Sequence, residues 1–423
     1  MIDRRSFLAG ALAPTCRVGS NVQFPAVDAW LSRLVSDRQL AGVAVRIARD
    51  GEVLFRSAHG WADAEDRRSL GYDAIYRAYS MTKPIAAAAV ALLAEAGQLD
   101  LDAPLTERLP ELAQLKVLRT PESGADDTRP ARSPPTARHL LTHTAGFTNN
   151  WNRDAAAAIY TRLGLIGGAW FRGREVRDLA DFAARLGQAP LLFEPGHGWN
   201  YSLAFDLCGL LVERVTGQSF GRFLETRIFH PLGMTDTGFS VPAAAADRLT
   251  SVYQRRTGAL VRQESGASSP FLLRPNAEAG ASGLVTTLED YGRFADVIAC
   301  GGVRKGVRVL AAATVAQMTS PQVPSAVLGE DLQRFSRVGS GAAGSGLGFG
   351  LGGSVVVDPA ATRATSRRGD YSWGGAASTT FFASPETRLS AVLMTQLQPS
   401  GTYPLHDALK TAVFADLGLG PTN

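Results

Sequence analysis

Ser80 and Lys83 lie three residues apart in Arg77-Ala78-Tyr79-Ser80-Met81-Thr82-Lys83-Pro84, just before the alanine-rich run Ile85 to Glu95. Alanine-rich sequence favours helix, and that spacing puts both side chains on one helical face. A lysine that reaches a serine hydroxyl and is desolvated enough to lose a proton becomes a base for acyl transfer. The same spacing also arises by chance on polar helices, so the pair takes its meaning from its company. Trp199-Asn200-Tyr201-Ser202-Leu203 follows the turn Glu194-Pro195-Gly196 and enters an apolar run. A phenol beside a lysine ammonium takes a proton from serine, whereas Tyr201 on its own reads as a half-buried structural residue. A third candidate is Asp370-Tyr371-Ser372-Trp373-Gly374-Gly375-Ala376-Ala377-Ser378, which reads as opening a strand that runs on through Thr379 to Phe382. Glycines inside a strand are costly. They mark either a close approach of a ligand to the backbone or a bulge. A strand edge of this kind can present an N–H to a developing oxyanion.

The elements that must position these residues follow from periodicity. Val27 to Arg38 has Trp30, Leu31, Leu34 and Val35 on one helical side. Ala41 to Ala48 and Glu52 to Arg56 flank Asp50-Gly51, the signal of an antiparallel hairpin. The helix after Ser80 should end near Gly97, and Thr120 to Pro135 reads as a loop or excursion. Thr136 to Phe239 is mostly helical in pattern, with strand-like runs returning at Gly346–Val357, Trp373–Ala383 and Leu389–Leu397. Strands first, helices in the middle and strands last predict an α+β fold. Its antiparallel sheet is built from both chain ends and flanked by helices, with a mainly helical domain inserted. The expected boundaries are 21–100 with 270–423 for the α/β domain and 101–269 for the helical domain.

Composition narrows the function classes. The chain has 423 residues, 45% of them hydrophobic and 19% charged, with a net charge of only +4 and scattered arginines. That describes solvated surface rather than a nucleic-acid footprint. No run reaches the length of a membrane span. The three cysteines, Cys16, Cys208 and Cys300, lie far apart without metal-ligand spacing, and Cys208 sits in an apolar run that suits a buried free thiol. No cofactor or metal is expected. Residues 1–20, with Arg4-Arg5, resemble a twin-arginine export leader, though the apolar run Phe7 to Ala13 is short and stops at Pro14. A working leader predicts export to the periplasm and a vestigial one the cytoplasm. Oligomeric state is left open.

Taken together, the motifs resemble those of the serine β-lactamase and penicillin-binding-protein superfamily, and within it the class C-like family VIII carboxylesterases. Ser80-Met81-Thr82-Lys83 stands at the first motif. Tyr201-Ser202-Leu203 stands where class C enzymes carry Tyr-x-Asn, and Trp373-Gly374-Gly375 where they carry Lys-Thr-Gly. Leu140 to Phe147, Pro231 to Thr237 and Gly280 to Thr287 are also family-like, so the likeness runs from about residue 25 to 415 in order and spacing. The resemblance implies Ser80 as nucleophile, a coupled Lys83–Tyr201 base and an oxyanion hole from the N–H groups of Ser80 and Ala376. Substrate contacts would come from Trp373, Gly374, Gly375 and Leu203. The departures matter. Trp373 offers an apolar wall in place of the cation that would pair with a β-lactam carboxylate, and Leu203 removes an amide. Both favour an uncharged small-molecule ester with a short acyl chain or a bulky alcohol. β-Lactamase-type activity and acyl transfer are the alternatives, and a non-catalytic binding protein is a remote one.

Three motifs are set aside. Gly217-Gln218-Ser219-Phe220-Gly221 matches Gly-x-Ser-x-Gly, but it follows a helix where that motif requires a strand. Gly217 therefore reads as a helix stop and Ser219 as an N-cap. Gly348 to Gly353 fits Gly-x-Gly-x-x-Gly but leads into the strand-like Ser354 to Val357, which is wrong for a dinucleotide site. His143 is expected to be a structural hydrogen-bonding residue rather than a base.

Overall fold

The computed structural model describes residues 23–420 apart from 121, 153, 167–169, 174, 330–331 and 333–345. The expected leader and Cys16 lie outside the described residues. Asp50 and Gly51, both with positive φ, turn β1 (Gly42–Arg49) back into β2 (Glu52–Asp63) as the hairpin signal requires. β3 (Arg68–Ser69) extends this edge. The chain returns to the same sheet late, through β4 (Leu347–Phe349), β5 (Ser354–Val356), β6 (Tyr371–Gly374), β7 (Thr380–Ser384) and β8 (Leu389–Met394). The strand order is β4-β5-β6-β7-β8-β1-β2-β3, antiparallel throughout. Both chain ends therefore build one sheet, and the α+β expectation holds.

Period-two alternation sends the two faces of this sheet to different cores. Val43, Val45, Ile47, Phe382, Ala391 and Leu393 pack under α1 (Pro25–Ser36) and the C-terminal helix Leu405–Asp416. Ala44, Phe381, Ala383, Val392 and Met394 face the larger core that holds α2 (Thr82–Glu95) and the helix Leu288–Ala299. Arg46 on β1 is fully buried on this second face. It ties the sheet to Leu288–Ala299 through paired bonds to Asp296 at 3.0 and 2.8 Å. α2 is buried from Thr82 to Leu93 on every side. An apolar helix with small side chains all round is suited to a deep position of that kind.

Several expectations are refined. Thr128–Pro130, inside the predicted excursion, pairs with Lys116–Leu118. The hairpin Val252–Arg256 and Ala259–Glu264 joins Leu397–Gln398 in a small separate sheet. The run from Trp373 to Ala383 is not one strand. β6 ends at Gly374, and Gly375 donates to the Thr379 carbonyl at 2.8 Å to turn the chain back into β7. Gly375 is glycine for a local reason: a Cβ there would lie 2.5 Å from the Ala78 carbonyl oxygen and 2.3 Å from Thr379 Oγ1. The close approach is made by the protein's own chain, at the segment that carries Ser80, and not by a ligand. Gly348 to Gly353 forms the β4–β5 hairpin, as the sequence argued against a dinucleotide site. Cys208 and Cys300 are buried free thiols.

Candidate active site

Ser80 is presented by a sharp strand-to-helix connection. The short strand Ile75–Arg77 gives way to Ala78, then Tyr79 adopts φ +46°, a sparsely populated region for a bulky residue. A single 3₁₀ turn, Tyr79–Met81, leads into α2, with Pro84 in its first turn where a missing N–H is tolerated. This arrangement leaves Ser80 Oγ at the helix entrance and Lys83 on the same face.

Tyr201 arrives from an extended segment rather than from a helix. Ser202 is extended, Leu203–Phe205 is one 3₁₀ turn, and α3 (Asp206–Thr216) follows. The residues after Leu141 hold the segment in place. Asn149 Nδ2 donates to the Tyr201 carbonyl at 2.6 Å, Asn200 N to the His143 carbonyl at 3.0 Å, and Ser202 N to His143 Nδ1 at 3.3 Å. The His143 ring lies 4.6 Å from the Tyr201 ring and 4.9 Å from Phe205. Burial, reinforced by the Lys83 charge, holds the imidazole well below its usual range, so it stays neutral. His143 is thus a packing and hydrogen-bonding residue behind the tyrosine, as its sequence context suggested.

The three side chains meet. Ser80 Oγ and Tyr201 Oη share a hydrogen bond of 2.6 Å, and Lys83 Nζ donates to Tyr201 Oη at 2.5 Å. Nζ also donates to Ser80 Oγ at 3.4 Å and to the Ala281 carbonyl at 2.9 Å. All three lysine protons therefore have acceptors, two of them in the reacting pair. A proton leaving Ser80 has a direct acceptor in Tyr201 Oη when the phenol is ionised, a form that the Lys83 ammonium against it stabilises.

The cluster opens into a cavity of about 270 Å³, with Tyr79, Trp151, Leu203, Ala376 and Gln398 around Ser80. Ala376 is the exposed member of the β6–β7 turn, and Gly374 and Gly375 beside it are buried. The structure brings Ser80, Lys83, Tyr201, Leu203 and Ala376 together at this cavity. It does not place the Trp373 side chain on the wall. Trp373 is 1% exposed, with its ring 6.0 Å from Tyr201 and 5.3 Å from Phe349, and it supports the tyrosine from beneath. The reason is the turn at Gly375: strand alternation carries Trp373 to the core face and leaves Ala376 at the opening. The aromatic residues Trp151, Tyr160, Trp170 and Phe171, which lie between Thr148 and Pro190 in the sequence, take two kinds of position. Trp151 is 54% exposed at the cavity rim, while Tyr160, Trp170 and Phe171 are core.

Sequence reasoning missed Asn149, Asp206 and Ala281. An acid directly before the apolar stretch Leu207 to Val212 was the one available signal, at Asp206. The role of the Ala281 carbonyl is invisible in a side-chain pattern. Among the described residues no cluster of histidine, cysteine or acidic side chains could hold a metal, and no helix is long and apolar enough to cross a membrane.

Comparison with known proteins identifies the family. The Beta-lactamase family model matches residues 27–415. Esterase EstB of Burkholderia gladioli is 34% identical over 92% of this chain and 94% of its own length. Lovastatin esterase of Penicillium rubens is 31% identical over 76% of this chain and 78% of its own. The solved structure of EstCE1, described as a hydrolase with promiscuous acyltransferase activity, superposes with a TM-score of 0.79. It covers 92% of this chain and 98% of its own, at 27% identity. On the extent of the family match and the identity to EstB, this chain belongs to the beta-lactamase family.

Proposed function

We propose that the protein is a serine carboxylesterase that hydrolyses uncharged esters through an acyl-enzyme on Ser80. The observation that carries this reading is the hydrogen-bonded set Ser80–Tyr201–Lys83 at the base of a cavity whose only cationic side chain is Lys83 itself, among the described residues. Ser80 Oγ attacks the ester carbonyl and its proton passes to the hydrogen-bonded Tyr201–Lys83 pair. The N–H groups of Ser80 and Ala376 would hold the oxyanion, where one such donor typically contributes about 10²- to 10³-fold in turnover. Tyr201 returns the proton to the leaving alcohol, and water repeats the sequence to release the acid.

The relatives support an ester substrate, since EstB and lovastatin esterase are named for that activity. A carboxylate-bearing β-lactam finds no partner cation, because the position that would offer one is the buried Trp373. Acyl transfer is the second reading, favoured by the EstCE1 description, and needs only an alcohol or amine in place of water. The test is a panel of p-nitrophenyl esters beside nitrocefin. Ester turnover should exceed nitrocefin turnover and vanish in Ser80→Ala. A folded Ser80→Ala variant that keeps its activity, or a faster nitrocefin rate, defeats the assignment. Product analysis with an added alcohol measures the transfer share.

A further inference from the structure

The reaction just described leaves the one carboxyl group among the cavity's lining residues without a task. Asp206 lines the cavity at the first turn of α3, yet its side chain is almost fully enclosed, at 1% exposure. Each of its two oxygens accepts one N–H donor. Oδ1 accepts the Ala281 N–H at 2.6 Å and Oδ2 accepts the Trp170 indole N–H at 2.7 Å. Two N–H donors fit a carboxylate and leave no acceptor for a carboxylic acid proton. The position at a helix start also favours the charged form.

What makes this arrangement more than a satisfied buried acid is the second bond of Ala281. Its N–H is held by Asp206, and its carbonyl takes one of the three Lys83 protons at 2.9 Å. A single residue thus links the carboxylate to the lysine. With one N–H anchored on Ala281, the remaining two are directed at Tyr201 and Ser80. Trp170 locks the other carboxylate oxygen, and its indole is stacked on Phe182 at 4.4 Å, so the anchor reaches into the helical region behind the site.

We propose that Asp206 is a positioning residue for acylation: by pinning the Ala281 peptide it fixes Lys83 Nζ where it reaches both Tyr201 and Ser80. The proposal rests on the Ser80 acyl-enzyme reading and deepens it. Asp206 touches neither the ester nor the reacting oxygen. Its removal should lower the rate of acylation and leave ester binding, through Leu203 and Trp151, largely intact.

The experiment measures kcat and KM of Asp206→Asn on a p-nitrophenyl ester from pH 5 to 9, normalised to sites titrated with a fluorophosphonate. Misplacing a catalytic group by about 1 Å costs roughly 100-fold, so a kcat fall of that order with KM nearly unchanged is expected. The pH profile supplies a readout that a purely structural acid would not move. Burial pushes the Asp206 carboxyl up to about 6, against its two hydrogen bonds and the Lys83 charge. Wild-type kcat should therefore lose a component as pH falls through that range, and Asp206→Asn should lack it. Among the described residues, Lys83 and Cys208 interact with Asp206 through their charges, Tyr79 and Tyr201 share its cavity, and the neutral His143 lies behind Tyr201; all of them remain in the variant.

Wild-type kcat per titrated site in Asp206→Asn overturns the proposal, as does a lowered kcat with an unchanged pH profile. Should Asp206→Asn fail to fold, Trp170→Phe withdraws one of the two donors that orient the carboxylate. A several-fold loss of kcat there supports the proposal, and wild-type kcat overturns it. If instead Ser80→Ala stays active, the acyl-enzyme reading itself has failed, which separates the two outcomes.

Discussion

Ser80 and Ser219 each precede a helix inside a short motif of the kind that marks nucleophiles, and their surroundings differ in every respect that matters to one. Ser80 Oγ has a phenol at 2.6 Å and an ammonium at 3.4 Å. Ser219 is the N-cap of Phe220–Leu224, and its hydroxyl accepts the Arg222 N–H at 3.2 Å. Gly217 before it is a left-handed helix stop, so the chain arrives from a helix and not from a strand. Ser219 also borders the larger cavity, about 580 Å³, where its ionisable neighbours include Glu213, Glu225 and Glu278. Burial pushes the Glu213 carboxyl up, with the Glu278 and Asp178 charges adding to it. Cavity size favours Ser219 and motif spelling does not separate the two serines. A nucleophile is marked by the base in contact with it.

This contrast can be broken or sharpened by substitution. The largest effect should come from Ser80→Ala, which is expected to lower ester turnover by roughly 10⁴-fold or more without unfolding the protein. Activity is read by p-nitrophenol release and folding by circular dichroism. Lys83→Ala and Tyr201→Phe should each lose about 10³-fold, and the double variant little more than either, because the two act as a unit. Losses that multiply in the double variant would show that they act independently. Trp373→Ala should destabilise the fold by about 3–5 kcal/mol, as truncating a buried tryptophan does, and it should lower kcat through Tyr201. A changed acyl-chain preference with normal stability would instead return Trp373 to the cavity wall. Ser219→Ala, the smallest change, should leave turnover unaltered and lower stability by about 1 kcal/mol through loss of the cap. A loss of turnover matching that of Ser80→Ala would reverse the assignment of the two serines.

Much of this site was legible because its information is local. Ser80 and Lys83 share a helical face whatever the helix packs against, and Asp50-Gly51 turns a hairpin on its own. The Trp373 position was misread for a physical reason. A glycine pair inside a β-rich run is compatible with one strand or with two, and only the pairing of Ser372 with Phe382 decides for the turn. That choice sends the tryptophan inward and leaves Ala376 at the opening. Asn149 and Ala281 were out of reach because each acts through a bond between segments far apart in the chain.

Read by itself, then, the sequence determined the Ser80–Lys83 pair on one helical face, the Asp50-Gly51 hairpin and an α+β architecture, since spacing, periodicity and turn chemistry are properties of neighbouring residues, while Tyr201 as their partner followed from the family resemblance. Tertiary structure alone decided which side chains face the cavity and which peptide anchors Lys83. Those depend on burial and on distances of a few ångströms between segments that meet only when the sheet closes around α2.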